Sequence, residues 1–186
     1  MNPMRCFLLV ILLMLMSHTI GCTANPAPKA KTIDASKTES NLGYALLYTL
    51  AEKNQEVDKI LILKKVSPET KVIIKDIASL CKEVKIKLDE FAKGDDSLGF
   101  NNQGLPRYEL EARDAIESTT TKRLLFASGE QFETRLLQTQ SQSMDYMAHL
   151  AILLAANDPI PTRSTYLKET SERADALFAR VMNQLT

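Results

Sequence analysis

A metal centre in this chain would have to be built from Glu56, Glu133 and His149. A di-iron or di-manganese carboxylate site between helices takes several inward Glu side chains and Glu-x-x-His pairs, because four to six nitrogen and oxygen ligands must converge. The chain has two histidines, His18 and His149, and contains no Glu-x-x-His. Glu56, Glu133 and His149 therefore make at most a weak mixed site, and only if folding brings them together. The competing place for His149 is a helix surface one turn beyond Asp145, where an i, i+4 pair is worth a few tenths of a kcal/mol.

Nucleophilic chemistry has as little material. A hydrolytic triad would have only His149 as its base, with no nucleophile in recognisable context. No Gly-rich phosphate cradle is present. Cys81 lies on an apolar stripe, where a small buried hydrophobe is expected; a reactive thiol would need an accessible, electropositive setting, and Lys82 points elsewhere on the helix. Asn54, Thr139 and Ser143 fall among apolar positions and offer a polar layer, read first as a device that fixes helix register, or as positions that rotate to the surface, and last as the relic of a ligand site. The expectation is no catalytic residue, no metal and no cofactor, and a protein that is not an enzyme.

The elements around these residues are helices. Of the 186 residues 45% are hydrophobic, and 23 basic side chains balance 23 acidic ones, which suits one compact domain and argues against clamping a nucleic acid. Beyond residue 42, Gly and Pro occur only at Gly43, Pro68, Gly94, Gly99, Gly104, Pro106, Gly129, Pro159 and Pro161. The uninterrupted blocks 44–67, 69–93, 107–128, 130–158 and 162–186 are longer than strands run. In the second block Ile74, Ile77, Cys81, Val84, Leu88 and Phe91 recur every three or four residues, an amphipathic stripe opened by Ser67, Pro68 and Glu69. The last block repeats the pattern with Leu167, Thr170, Ala174, Leu177, Val181 and Leu185, the first with Leu46, Leu50, Val57 and Leu61, and the fourth with Phe132, Leu136, Tyr146, Leu150 and Leu153. Four stripes that must be buried together predict an all-α fold, an antiparallel four-helix bundle over 42–186. Block 107–128, polar in its middle, is expected as one extra short helix, followed by a turn in which Ser128 caps toward Gln131. Residues 93–105 read as a surface loop.

The N-terminus carries a different message. Arg5, the apolar run Cys6–Met16, the weakly polar Ser17, His18 and Thr19, and a small residue at the exit form the layout of a cleaved export signal. Its exit, Thr19-Ile20-Gly21-Cys22, resembles the lipobox of bacterial lipoproteins, with Thr19 where Leu is usual. The resemblance implies a signal peptide over 1–21 and a diacylglyceryl group on Cys22, which would anchor the chain to a membrane. Thr23 in place of Asp implies the outer membrane, with the domain facing the periplasm. An ordinary signal peptidase cut after Ala24 is the alternative. Residues 22–41, with Ile33 their only large aliphatic side chain, read as a flexible tether.

Four short motifs resemble a secreted bacterial ferritin-like family of domains without an assigned activity, over about residues 45–185. They are Glu56-Val57, Thr70-Lys71 followed by a helix ending Leu88-Asp89-Glu90-Phe91-Ala92, Leu105-Pro106, and Ser128-Gly129-Glu130-Gln131-Phe132-Glu133. The resemblance implies a ferritin-like bundle. Where the family carries an Asp-His pair this chain has Leu80-Cys81, where it carries His in the fourth helix this chain has Met144, and the final helix has no histidine. The expected function is that of a lipid-anchored envelope protein with a binding or structural role toward an envelope partner. The alternatives are a metal-binding or oxidase-like ferritin relative, and a helical subunit of an envelope hetero-oligomer.

Overall fold

The computed structural model describes residues 35–100 and 104–186 and is all-helical, without a strand among the described residues. The signal segment, Cys22 and the tether up to residue 34 lie outside the described residues. Helix α1 spans Ala35–Asn54, α2 Pro68–Gly94, α3 Arg107–Phe126, α4 Gly129–Asn157 and α5 Pro161–Leu185, with a 3₁₀ helix at Val57–Ile62. Helices α1, α2, α5 and α4 pack in that circular order, each against the next, while α3 touches little but α4. Among the described residues no helix is long and apolar enough to cross a membrane.

The second and last stripes are buried as expected: Ile74, Ile77, Cys81, Val84 and Leu88 on α2, and Leu167, Thr170, Ala174, Leu177 and Val181 on α5. Helix α2 starts as its sequence dictates. Ser67 Oγ accepts the Thr70 N–H at 3.2 Å, and Pro68 and Glu69 fill the first turn. The α4 stripe begins as expected, with Phe132 and Leu136 fully buried, and then departs from the expected phase. Met144, Met147, Ala151 and Leu154 carry it inward, and Tyr146 and Leu153 face out. Small Ala and slender Met let α4 approach its neighbours closely, and these outweigh the bulkier residues as markers of the buried face.

Other differences concern where helices begin and end. Helix α1 begins at Ala35, inside the segment read as tether, because no Pro follows Pro28 before Pro68 and 35–41 contain adequate helix formers. It stops at Asn54, not at residue 67. Tyr44, Leu47, Ala51 and Asn54 form its buried line, with Leu46 and Leu50 only partly covered, and one further turn would bring Asp58 to the core. Instead the Asn54 side-chain amide donates to Leu50 O at 2.9 Å, and a 3₁₀ turn places Val57, Ile60 and Leu61 against the core.

The extra helix is not short. Helix α3 has 20 residues, of which only Leu124 is buried. Ser128 stands at the α4 N-cap without a side-chain capping bond, so the expected capping box is absent; Gly129, at φ 56°, makes the turn through a left-handed backbone that other residues rarely adopt.

Candidate functional site

Each residue considered for a metal site has another engagement. Glu133 accepts from the Ser67 N–H at 3.1 Å and from Ser67 Oγ at 2.5 Å, at the N-terminus of α2. Burial pushes this carboxyl up, but the hydrogen bonds from the Ser67 hydroxyl and amide, with Thr70 close by, outweigh it and leave it below the ordinary value. Glu56 is exposed and pairs with Lys59 at 2.5 Å. His149 lies on the surface of α4, with Nδ1 3.4 Å from Asp145 Oδ1. Among the described residues no three His, Cys, Asp or Glu side chains lie close enough to hold one metal ion.

The polar layer is also differently made. Asn54 is buried but bonds its own helix, and Thr139 and Ser143 turn back to Arg135 O at 2.9 Å and Thr139 O at 3.2 Å. The buried polar residues of α4 are Gln140 and Ser141. Cys81 is fully buried, and burial pushes its thiol up to about 12, so the thiolate nucleophile is suppressed at neutral pH.

The most developed polar cluster joins α1, the end of α2, the end of α4 and the start of α5. Arg163 Nη1 donates to Asp95 Oδ2 at 2.8 Å, and its Nε lies 2.9 Å from Asp158 Oδ2. The Tyr44 hydroxyl donates to the same Asp158 oxygen. Asp158 Oδ1 takes the Ile160 N–H at 2.7 Å, and Asp95 Oδ1 takes the Ser97 N–H at 3.0 Å and hydroxyl at 2.6 Å. Only 2% of the Asp158 side chain is exposed.

The Ser97 hydroxyl and then the Arg163 guanidinium hold Asp95 at about 2. Burial works against the charge of Arg163, but Asp95, Asp158 and Tyr44 more than offset it and raise its pKa. Burial, then the bond to Asp158, pushes the Tyr44 hydroxyl well above the usual range. Near neutral pH Tyr44 is thus protonated while Asp95 and Arg163 are charged. The arrangement is a clamp between four chain segments, and it does not supply a proton donor or acceptor poised for turnover.

Sequence reasoning missed this cluster, although two signals were present. Asp95 and Asp158 each follow a helix directly and bond the amide two residues on, a short-range turn that Asp favours. Arg163 sits in the first turn of α5, where the helix dipole disfavours a cation, so an acid nearby was to be expected. No protein-family model, curated protein or solved structure matches this chain.

Proposed function

We propose that this protein is a non-catalytic helical domain held at the bacterial outer membrane, facing the periplasm, by a lipid on Cys22, where it binds or scaffolds an envelope partner. The observation that carries the non-catalytic part is positive: Glu133 secures the start of α2, Glu56 pairs with Lys59, and His149 pairs with Asp145 at the surface. The fold we propose is an antiparallel four-helix bundle of ferritin-like type, formed by α1, α2, α4 and α5. Two contacts support it. Ser67 and Glu133 bring the starts of α2 and α4 to one end, and Arg163 joins the ends of α2 and α4 at the other. These two helices thus run the same way, and α3 lies within the long crossover between them, as in ferritin-like bundles with one such connection.

Fractionation of cells carrying Cys22→Ala tests the anchor: the domain moves to the soluble periplasmic fraction, and retention in the membrane would refute it. Elemental analysis of protein purified without chelators tests the rest, since stoichiometric iron, copper or manganese would establish the metal-binding alternative. A second reading, as a subunit of an envelope hetero-oligomer, is favoured by the exposure of Tyr108 and Ile116 on the first half of α3, and cross-linking in intact cells from those positions identifies the neighbour.

A further inference from the structure

We infer that the corner between the second half of α3, the start of α4 and the 62–65 segment is a docking surface for an anionic phospholipid bilayer. Four large apolar side chains stand in water there: Phe126 is 89% exposed, Ile62 83%, Leu63 71% and Leu125 46%. They are brought together by Lys64, whose Nζ donates to Leu125 O and Ala127 O, each at 2.8 Å, tying the 3₁₀ segment to the C-terminus of α3. Exposed apolar side chains gathered at one corner, when rimmed by cations, mark an interaction surface and not ordinary solvent-facing residues.

The rim is cationic and uncompensated. Thr119, Lys122, Arg123 and Phe126 fall on one side of α3 at helical spacing, and with Gln131 and Arg135 of α4 they line an open cleft. Among the described residues Lys122, Arg123 and Arg135 meet no acidic partner. The acids on adjoining segments are Glu130, which does not line the cleft, Glu133, engaged by Ser67, and Asp58 and Glu56, the latter paired with Lys59. The first half of the same helix differs, since Arg107 pairs with Glu111, Arg113 with Glu109, and Glu117 with Lys53. Cations around protruding apolar side chains complement a surface of lipid phosphates over acyl chains, and the charge match selects anionic lipid as the occupant.

The inference stands on the described residues and does not depend on Cys22. The chain contains no Trp, so Phe126→Trp in the full-length protein gives a single local reporter. With phosphatidylglycerol vesicles its emission shifts to the blue and is quenched by brominated acyl chains, and phosphatidylcholine vesicles leave it unchanged. Each cation near an anionic surface is worth about fivefold in partitioning, so Lys122→Gln, Arg123→Gln and Arg135→Gln together weaken the response on the order of 100-fold, and raised salt does the same. The Lys122→Gln, Arg123→Gln pair alone, on the exposed face of α3, weakens it about 25-fold. Cys22→Ser leaves the response intact. Vesicle attachment without a change in the indole emission of the Phe126→Trp variant, an equal response to phosphatidylcholine, or the same shift with inorganic phosphate alone would each overturn the inference.

Discussion

At the end where α1 begins, Arg163 lies between Asp95 and Asp158 under the Tyr44 hydroxyl, whereas at the other end Lys122, Arg123 and Arg135 surround an exposed Phe126 with no acid among them. Both lie where several helices meet, and both put a cation close to an aromatic ring, Arg163 over Tyr44 and Lys64 over Phe132. The first has satisfied its charges internally and has become part of the core. The second has left them for something outside the chain. Charge that is buried and paired serves the fold, and charge that is exposed and unpaired is available for recognition.

This contrast can be broken most severely at Arg163. Arg163→Ala leaves the Asp158 carboxylate nearly inaccessible to water and without its cation, and a loss of about 3–5 kcal/mol in urea unfolding is expected. Replacing both members of the buried pair, as Asp158→Asn with Arg163→Met, costs clearly less than Arg163→Ala alone, because the carboxylate left without its cation is then only Asp95, which is more exposed and keeps its bonds from Ser97. Equal losses would show that the cluster acts through shape and not through charge. Glu133→Ala, which removes the acceptor at the start of α2, costs about 1–2 kcal/mol by the same measurement.

Acid sharpens the comparison further. Asp95 is held at about 2, against 3.8 for an ordinary Asp. A carboxyl depressed in the folded state contributes stability that is fully present above about pH 4 and is lost as the pH falls toward 2. Asp95→Asn therefore flattens the stability profile between pH 4 and 2 and leaves its slope above pH 5 unchanged, as followed by denaturant titration. The smallest effect belongs to the opposite corner. Phe126→Ser, Lys122→Gln and Arg123→Gln each change stability by no more than about 0.5 kcal/mol, because their side chains are exposed and bond nothing within the fold.

Much of this division was legible in the chain. The stripes of α2 and α5 announced themselves because Ile, Leu and Val alternate cleanly with charge. On α4, Phe132 and Leu136 marked the buried face correctly, but beyond Leu137 that face is mostly Gln, Ser, Met and Ala, residues that say little about burial, while the exposed Tyr146 and Leu153 say the wrong thing. The break after Asn54 depended on which residue the next turn would have buried, a tertiary question. The clamp joins residues as far apart as Tyr44 and Arg163, and nothing in the local pattern pairs them. The cationic corner was invisible for a related reason. Lys122 and Arg123 look like any solvated helix face until the fold places Arg135 beside them and withholds an acid.

Cys81 turns the core into its own clock. It is the only cysteine among the described residues, it is fully buried, and its thiol is pushed up to about 12. A thiol reagent can reach that sulfur only when α2 separates from its neighbours, so the alkylation rate at this position counts openings of the folded state directly. Substitutions at the clamp should quicken that rate about tenfold for each 1.4 kcal/mol of stability they remove, and substitutions at the cationic corner should leave its tempo unaltered.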